Sequence, residues 1–145
     1  MMKTIALLFL TLFMAKGCSQ DEKKNLENTN IVYTATSRGY FIKITIQNQE
    51  ISISKDRNEE GAGTTTKISE ANWNELVLLF NKLDLEKLSS YEGPTQKRFY
   101  DGAAIANMKV TYKEKEYQSN DFDHGNPPVQ MEEFIKKVLL LATHE

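Results

Sequence analysis

The sequence predicts an α+β domain: one antiparallel sheet of about five to six strands with two helices packed on one face. Three observations carry this prediction. Residues 40–47 (YFIKITIQ) alternate, with Ile42, Ile44 and Ile46 on one side and Lys43, Thr45 and Gln47 on the other; a period of two marks a half-buried strand. Trp73, Leu76, Val77, Phe80 and Leu83 recur at helical spacing, as do Met131, Phe134, Ile135, Val138 and then Leu141 or Ala142. The breaks between consecutive strands are too short for parallel crossovers, which need a dozen or more residues.

Taken in order, Ile31–Ser37 is β-branched and aromatic, a strand that turns at Arg38-Gly39 into the alternating 40–47 run. Asn48-Gln49 turns again, and Ile51 and Ile53 continue the inward face through Lys55. Asp56–Gly63 is a charged, glycine-containing loop, and Thr64–Ile68 makes a further short strand. Ser69 reads as a helix N-cap with Glu70 in the first turn, where the helix dipole favours an anion. Asp84–Leu88 extends that helix or forms a short second turn, and Gly93-Pro94 breaks the 89–96 loop. From Ala103 to Tyr112, Ala104, Ala106, Met108, Val110 and Tyr112 share a face. Lys113-Glu114-Lys115 is a hairpin tip, from which 116–119 returns. Asn120–Pro128 is dense in turn residues, and Pro127-Pro128 suits the start of the closing helix.

The first residues describe a compartment. Met1-Met2-Lys3 carries a positive charge, and residues 4–15 (TIALLFLTLFMA) form a short apolar run before Lys16-Gly17-Cys18. That is the plan of a secretory signal. Twelve helical residues span roughly 18 Å, against a hydrocarbon core of about 30 Å, so the run is too short to cross a bilayer. Ala15-Lys16-Gly17-Cys18 resembles the lipobox of bacterial lipoproteins. Gly17 and Cys18 match, Ala15 stands where the family usually has leucine, and Lys16 departs from the pattern. A simple signal-peptidase site is the alternative, and both readings cut before Cys18. The resemblance implies that the Cys18 thiol carries diacylglycerol and becomes the first mature residue. Cysteine chemistry agrees: Cys18 is the one cysteine of the chain. It has no internal disulfide partner, and a free exported thiol is prone to oxidation. The acidic Ser19-Gln20-Asp21-Glu22 is similar to the segment after the lipid cysteine in surface lipoproteins of Bacteroidota-type bacteria.

These readings divide the chain into a signal peptide (1–17), a lipid-anchored flexible tether (18–30) and one α+β domain (31–145). The tether assignment rests on Ser19–Asn30 having a single apolar residue, Leu26. The expected location is the cell envelope, at the outer membrane, on its periplasmic or surface face. The whole chain has 18 basic and 20 acidic residues. Removing residues 1–17 takes away Lys3 and Lys16, which leaves the mature chain near −4. That balance gives no electrostatic reason to bind nucleic acid. Attachment to the membrane would then depend on the lipid.

Candidate sites follow two patterns. Asp101, Asp121, Asp123 and His124 are the densest group of metal-ligating types, and carboxylates with an imidazole suit a divalent cation. From Asp121, a calcium-loop pattern fails where Gly125 offers no ligand and where Asn126 replaces the turn glycine. The simpler reading is that Asp121, Asp123 and Asn126 hydrogen-bond their own backbone and cap the last helix. Arg98 and Tyr100, with Tyr91 before them and Arg38 at another strand junction, are types favoured at binding surfaces. They also suit the cover of a sheet edge. No G-x-S-x-G elbow or phosphate-binding glycine run is present. The expectation is a non-enzymatic domain that binds a protein or envelope component, with no cofactor beyond lipid on Cys18. The alternative is a metal-assisted enzyme built on the Asp101, Asp121, Asp123 and His124 group.

Overall fold

The computed structural model describes residues 24–58 and 63–144. The signal peptide, Cys18 and residues 19–23 lie outside the described residues, as do residues 59–62 of the 56–63 loop. The strands are β1 (Asn30–Thr36), β2 (Phe41–Gln47), β3 (Glu50–Ser54), β4 (Thr64–Lys67), β5 (Ile105–Tyr112), β6 (Lys115–Gln118) and the two-residue β7 (Phe122–Asp123). The helices are α1 (Glu70–Asn81) and α2 (Glu132–Thr143), with 3-10 turns at Leu85–Ser90, Lys97–Tyr100 and Val129–Met131.

All strand pairs are antiparallel, in the order β4-β3-β2-β1-β5-β6, and β7 adds to β5. The α+β class and the antiparallel sheet match the sequence reading. The sheet gains one short strand because Phe122-Asp123, expected inside a loop, pairs with Ile105 and Ala106. β1 is central because both its edges are paired. Ile31, Tyr33 and Ala35 register with Ile46, Ile44 and Ile42 of β2, and with Val110, Met108 and Ala106 of β5. Those residues are all buried, whereas the alternate positions of β1 are half-buried. The side-chain period of two therefore fixes the register, since a one-residue slip would turn every isoleucine outward.

Two hairpins close with two-residue turns in the left-handed region, Asn48-Gln49 and Lys113-Glu114. This geometry matches the right-handed twist of the strands they join. Ser69 caps α1 as expected, its hydroxyl accepting from the Asn72 amide. Leu76 and Phe80 of α1, and Phe134, Ile135 and Val138 of α2, join the same buried cluster as the inward strand residues. The helices meet through the Phe80 and Phe134 rings, 5.8 Å apart, and through Lys137, whose ammonium reaches Glu75 at 2.6 Å and Asn72 at 3.0 Å. Residues 84–88 do not extend α1. They enter the Leu85–Ser90 turn, which buries Leu85 and Leu88.

The folded part begins earlier than the sequence reading places it. Leu26 is 1 % exposed and belongs to the core. The Lys24 amide donates to Asn81 Oδ1, Asn81 Nδ2 donates to the Lys24 carbonyl, and the Lys24 ammonium reaches the Leu83 carbonyl. Asn30 is already in β1. A single apolar residue in a polar stretch cannot make a core of its own, but it can complete one built elsewhere. Residues 24–30, assigned to the tether on composition, therefore belong to the folded domain. Leu26→Ala is expected to lower unfolding stability by an amount in the lower part of the roughly 2–5 kcal/mol range of buried leucine truncations. Denaturant melting measures this; a change within about 0.5 kcal/mol would return the segment to tether status.

Candidate functional site

Chemistry-bearing residues collect at one end of the sheet. There the β1–β2 turn (37–40), the entry to β5, the Lys97–Tyr100 turn and the residues after β7 come together. Ser37, Tyr40, Lys97, Gly102, Ala104 and His124 line an open cleft of about 360 Å³.

The centre of this end is Asp123, which is fully buried. Its carboxylate accepts from Thr95 Oγ1 (2.6 Å), the Lys97 amide (2.6 Å), the Arg98 amide (3.0 Å) and Arg98 Nη1 (3.2 Å). Burial by itself would raise this carboxyl; the hydrogen bonds from Thr95 and from Arg98 and Lys97 outweigh it and bring it down to about 2. Asp123 thus holds the 95–98 segment against the sheet. The Lys97–Tyr100 turn closes with Asp101 in the left-handed region and the Gly102 amide on the Lys97 carbonyl at 2.8 Å. A side chain at Gly102 would meet the Tyr100 ring at 3.0 Å and Lys97 at 3.1 Å, so it would push these neighbours apart by a few tenths of an ångström.

His124 forms the cleft wall. Its Nδ1 lies 2.8 Å from the Tyr33 hydroxyl, and its Nε2 lies 3.3 Å from the Tyr40 hydroxyl. Tyr33 is fully buried. A buried hydroxyl needs an acceptor for its proton, and Nδ1 supplies one. That leaves the imidazole proton on Nε2, directed at the Tyr40 oxygen. Desolvation by burial lowers the His124 pKa, and burial followed by the charge of Tyr40 raises that of Tyr33. Both ring nitrogens are thus engaged by tyrosine hydroxyls, an arrangement that orients the imidazole and both rings.

The sequence-predicted metal group is not assembled. Asp121 is exposed and accepts from Asn107 Nδ2 at 3.1 Å. Asp101 is exposed at the end of the 97–100 turn, Asp123 faces Thr95 and Arg98, and His124 faces the two tyrosines. Among the described residues, no three histidine, cysteine, aspartate or glutamate side chains converge as metal ligands. The simpler turn reading also needs correction. Asp123 bonds to a segment 25 to 28 residues away and not to its own turn. The last helix has Met131 at its N-cap position with no side-chain cap bond.

The residues proposed for a binding surface separate in the same way. Tyr100 is 73 % exposed, as is Phe99 beside it. Arg38 is exposed in the β1–β2 turn. Arg98 is mostly buried; it pairs with Asp123, and its guanidinium stacks on the Phe99 ring at 4.5 Å. Tyr91 is half-buried against the core. Sequence reasoning does not single out Lys97, which lines the cleft, or Tyr33, which orients His124. Tyr33 reads only as a strand residue, and nothing local marks its hydroxyl as the partner of a histidine 91 positions away. The chain matches no protein-family model, no curated protein and no solved structure.

Proposed function

We propose that this chain is an exported protein, anchored by lipid on Cys18, whose domain binds a protein or envelope component through the cleft end of its sheet. One contrast supports a binding role. The groups there with catalytic chemistry are engaged internally: Asp123 by Thr95, Lys97 and Arg98, and His124 by Tyr33 and Tyr40. The aromatics beside them are exposed: Phe99 and Tyr100 present most of their surface to solvent, and Tyr40 is 42 % exposed. A rigid base carrying exposed aromatic rings is the composition of an interface hot spot. The sheet arrangement fits this reading. Both helices contribute to the cluster formed by the inward strand faces, which supports their covering one face of the sheet. The cleft and its aromatic rim then lie at the sheet's end, beside the helical layer and not beneath it.

The test compares wild-type protein with the Phe99→Ala/Tyr100→Ala double variant in capture from the native cell envelope. Both side chains are exposed, so melting should show a stability change of roughly 1 kcal/mol or less, chiefly from the lost Arg98–Phe99 stacking. Loss of a co-purified component, by roughly tenfold in affinity or more, is the expected result. Capture that is equal for both forms would refute the surface. Release of Cys18→Ala from membranes tests the anchor separately, and unchanged retention would refute it.

A further inference from the structure

Where the chain enters the domain relates the anchor to the cleft. Lys24 is fixed beside Asn81 and Leu83, just past the end of α1. The neighbouring Phe80 ring lies 6.3 Å from Tyr112, the last residue of β5. Tyr112 adjoins the Lys113-Glu114 turn, and Asn30, the first residue of β1, pairs with Thr111. The chain therefore enters at the β1-start end of the sheet. The cleft residues Ser37 and Tyr40 follow the last residue of β1, so the cleft lies at the opposite end. The seven residues of β1 separate these two ends by about 20 Å.

The link to the anchor is short. Six residue steps join Cys18 to Lys24, and fully extended they reach at most about 20 Å. A tether through Asn30 would have allowed the domain to turn freely; a tether ending at Lys24 holds one end near the lipid.

We propose that the fold orients the binding surface away from the membrane: lipid on Cys18 holds the Lys24 end of the sheet, and the cleft end, with Tyr40, Phe99 and Tyr100, faces the aqueous side. This rests on the anchored-binder reading above. The partner that fits is a protein surface approached through water, because the exposed rings stand a strand length beyond the end that the tether holds. Lipid is not the ligand of these rings. The described residues contain no helix long and apolar enough to cross a membrane.

The experiment uses the full lipidated chain in phosphatidylethanolamine/phosphatidylglycerol vesicles carrying a nitroxide-headgroup lipid. With Cys18 acylated, a single introduced cysteine takes a fluorophore. Asn28→Cys places it in the exposed turn before β1, and Gly39→Cys in the exposed turn after it, where a side chain meets nothing within 4 Å. The expected result is strong quenching at position 28 and little at position 39. Lengthening the tether with a Gly-Ser insertion after Gln20 should weaken quenching at position 28 and narrow the difference between positions 28 and 39. Equal quenching at both positions, or stronger quenching at 39, overturns the orientation, as does an insertion that changes nothing. Flotation with the vesicles is scored in the same samples. Protein that floats but shows the wrong pattern defeats the orientation alone, whereas protein that does not float defeats the anchor and the orientation with it.

Discussion

Asp123→Ala is expected to destabilise the domain by about 3–5 kcal/mol, the cost of removing one partner from a buried, hydrogen-bonded ion pair. The mechanism is specific. Without the carboxylate, the Thr95 hydroxyl, the Lys97 and Arg98 amides and the Arg98 guanidinium lose their acceptor together. Arg98, whose side chain is only 11 % exposed, is left as a nearly buried unpaired charge. Arg98→Met should cost less than Asp123→Ala, because Asp123 then keeps the Thr95 hydroxyl and both amides. The double variant should be less destabilised than the sum of the two single variants, since their effects share one network. Denaturant melting of the four proteins measures this. An Asp123→Ala loss below about 1 kcal/mol, or strict additivity, would show that the 95–98 segment is held by something else.

The same residues set an acid sensitivity. Asp123 ionises at about 2 in the folded chain and near 3.8 when unfolded. The folded state therefore binds fewer protons, so the stability this carboxylate supplies is complete above pH 3.8 and is lost as pH falls through about 2. His124 acts in the same direction at higher pH. Its folded pKa lies below the unfolded value of 6.5, so its contribution is complete above 6.5 and declines as pH falls from there toward the lowered value. A protein with Asp123→Ala should retain the decline that begins at 6.5 and show a shallower one below 3.8, where Glu86, held down by Lys115, still contributes.

How much of this was legible in the sequence depended on whether a signal was local. The strand alternation around Ile42–Ile46, the Ser69 cap and both amphipathic helices depend on neighbours within one turn or one pleat, and each was readable. The cleft end depends on contacts between distant positions. Arg98 and Asp123 are both conspicuous, but they fall into separate candidate groups because nothing local pairs residues 25 positions apart. His124 was conspicuous as a metal-ligating type, whereas its actual partners are two tyrosines from β1 and the β1–β2 turn. Leu26 escapes a local reading for the converse reason. Its polar neighbours describe a tether correctly in composition, but burial is decided by whether a pocket exists to receive the side chain.

Phe80→Ala is expected to be the most damaging truncation in the core, at roughly 3–5 kcal/mol, because this ring joins three parts of the chain. It is fully buried, lies 5.8 Å from Phe134 of α2 and 6.3 Å from Tyr112 of β5, and carries the Lys24 ammonium 5.8 Å from its centre. A domain of this size has about 5–15 kcal/mol of total stability, so the loss is a large fraction of it. In a thermal melt it corresponds to a fall in Tm on the order of 10–20 °C. Phe80→Leu, which keeps much of the volume, should recover more than half of the loss. The diagnostic readout is amide exchange at Thr29, whose N–H bonds the Leu26 carbonyl at 3.2 Å. If Phe80 fastens the entering segment as well as the helices, Phe80→Ala should speed exchange there beyond what the global loss of stability accounts for. Exchange at Thr29 that tracks global unfolding alone would show that the segment is held by Leu26 and Asn81, with Phe80 serving only the contact between helices and sheet.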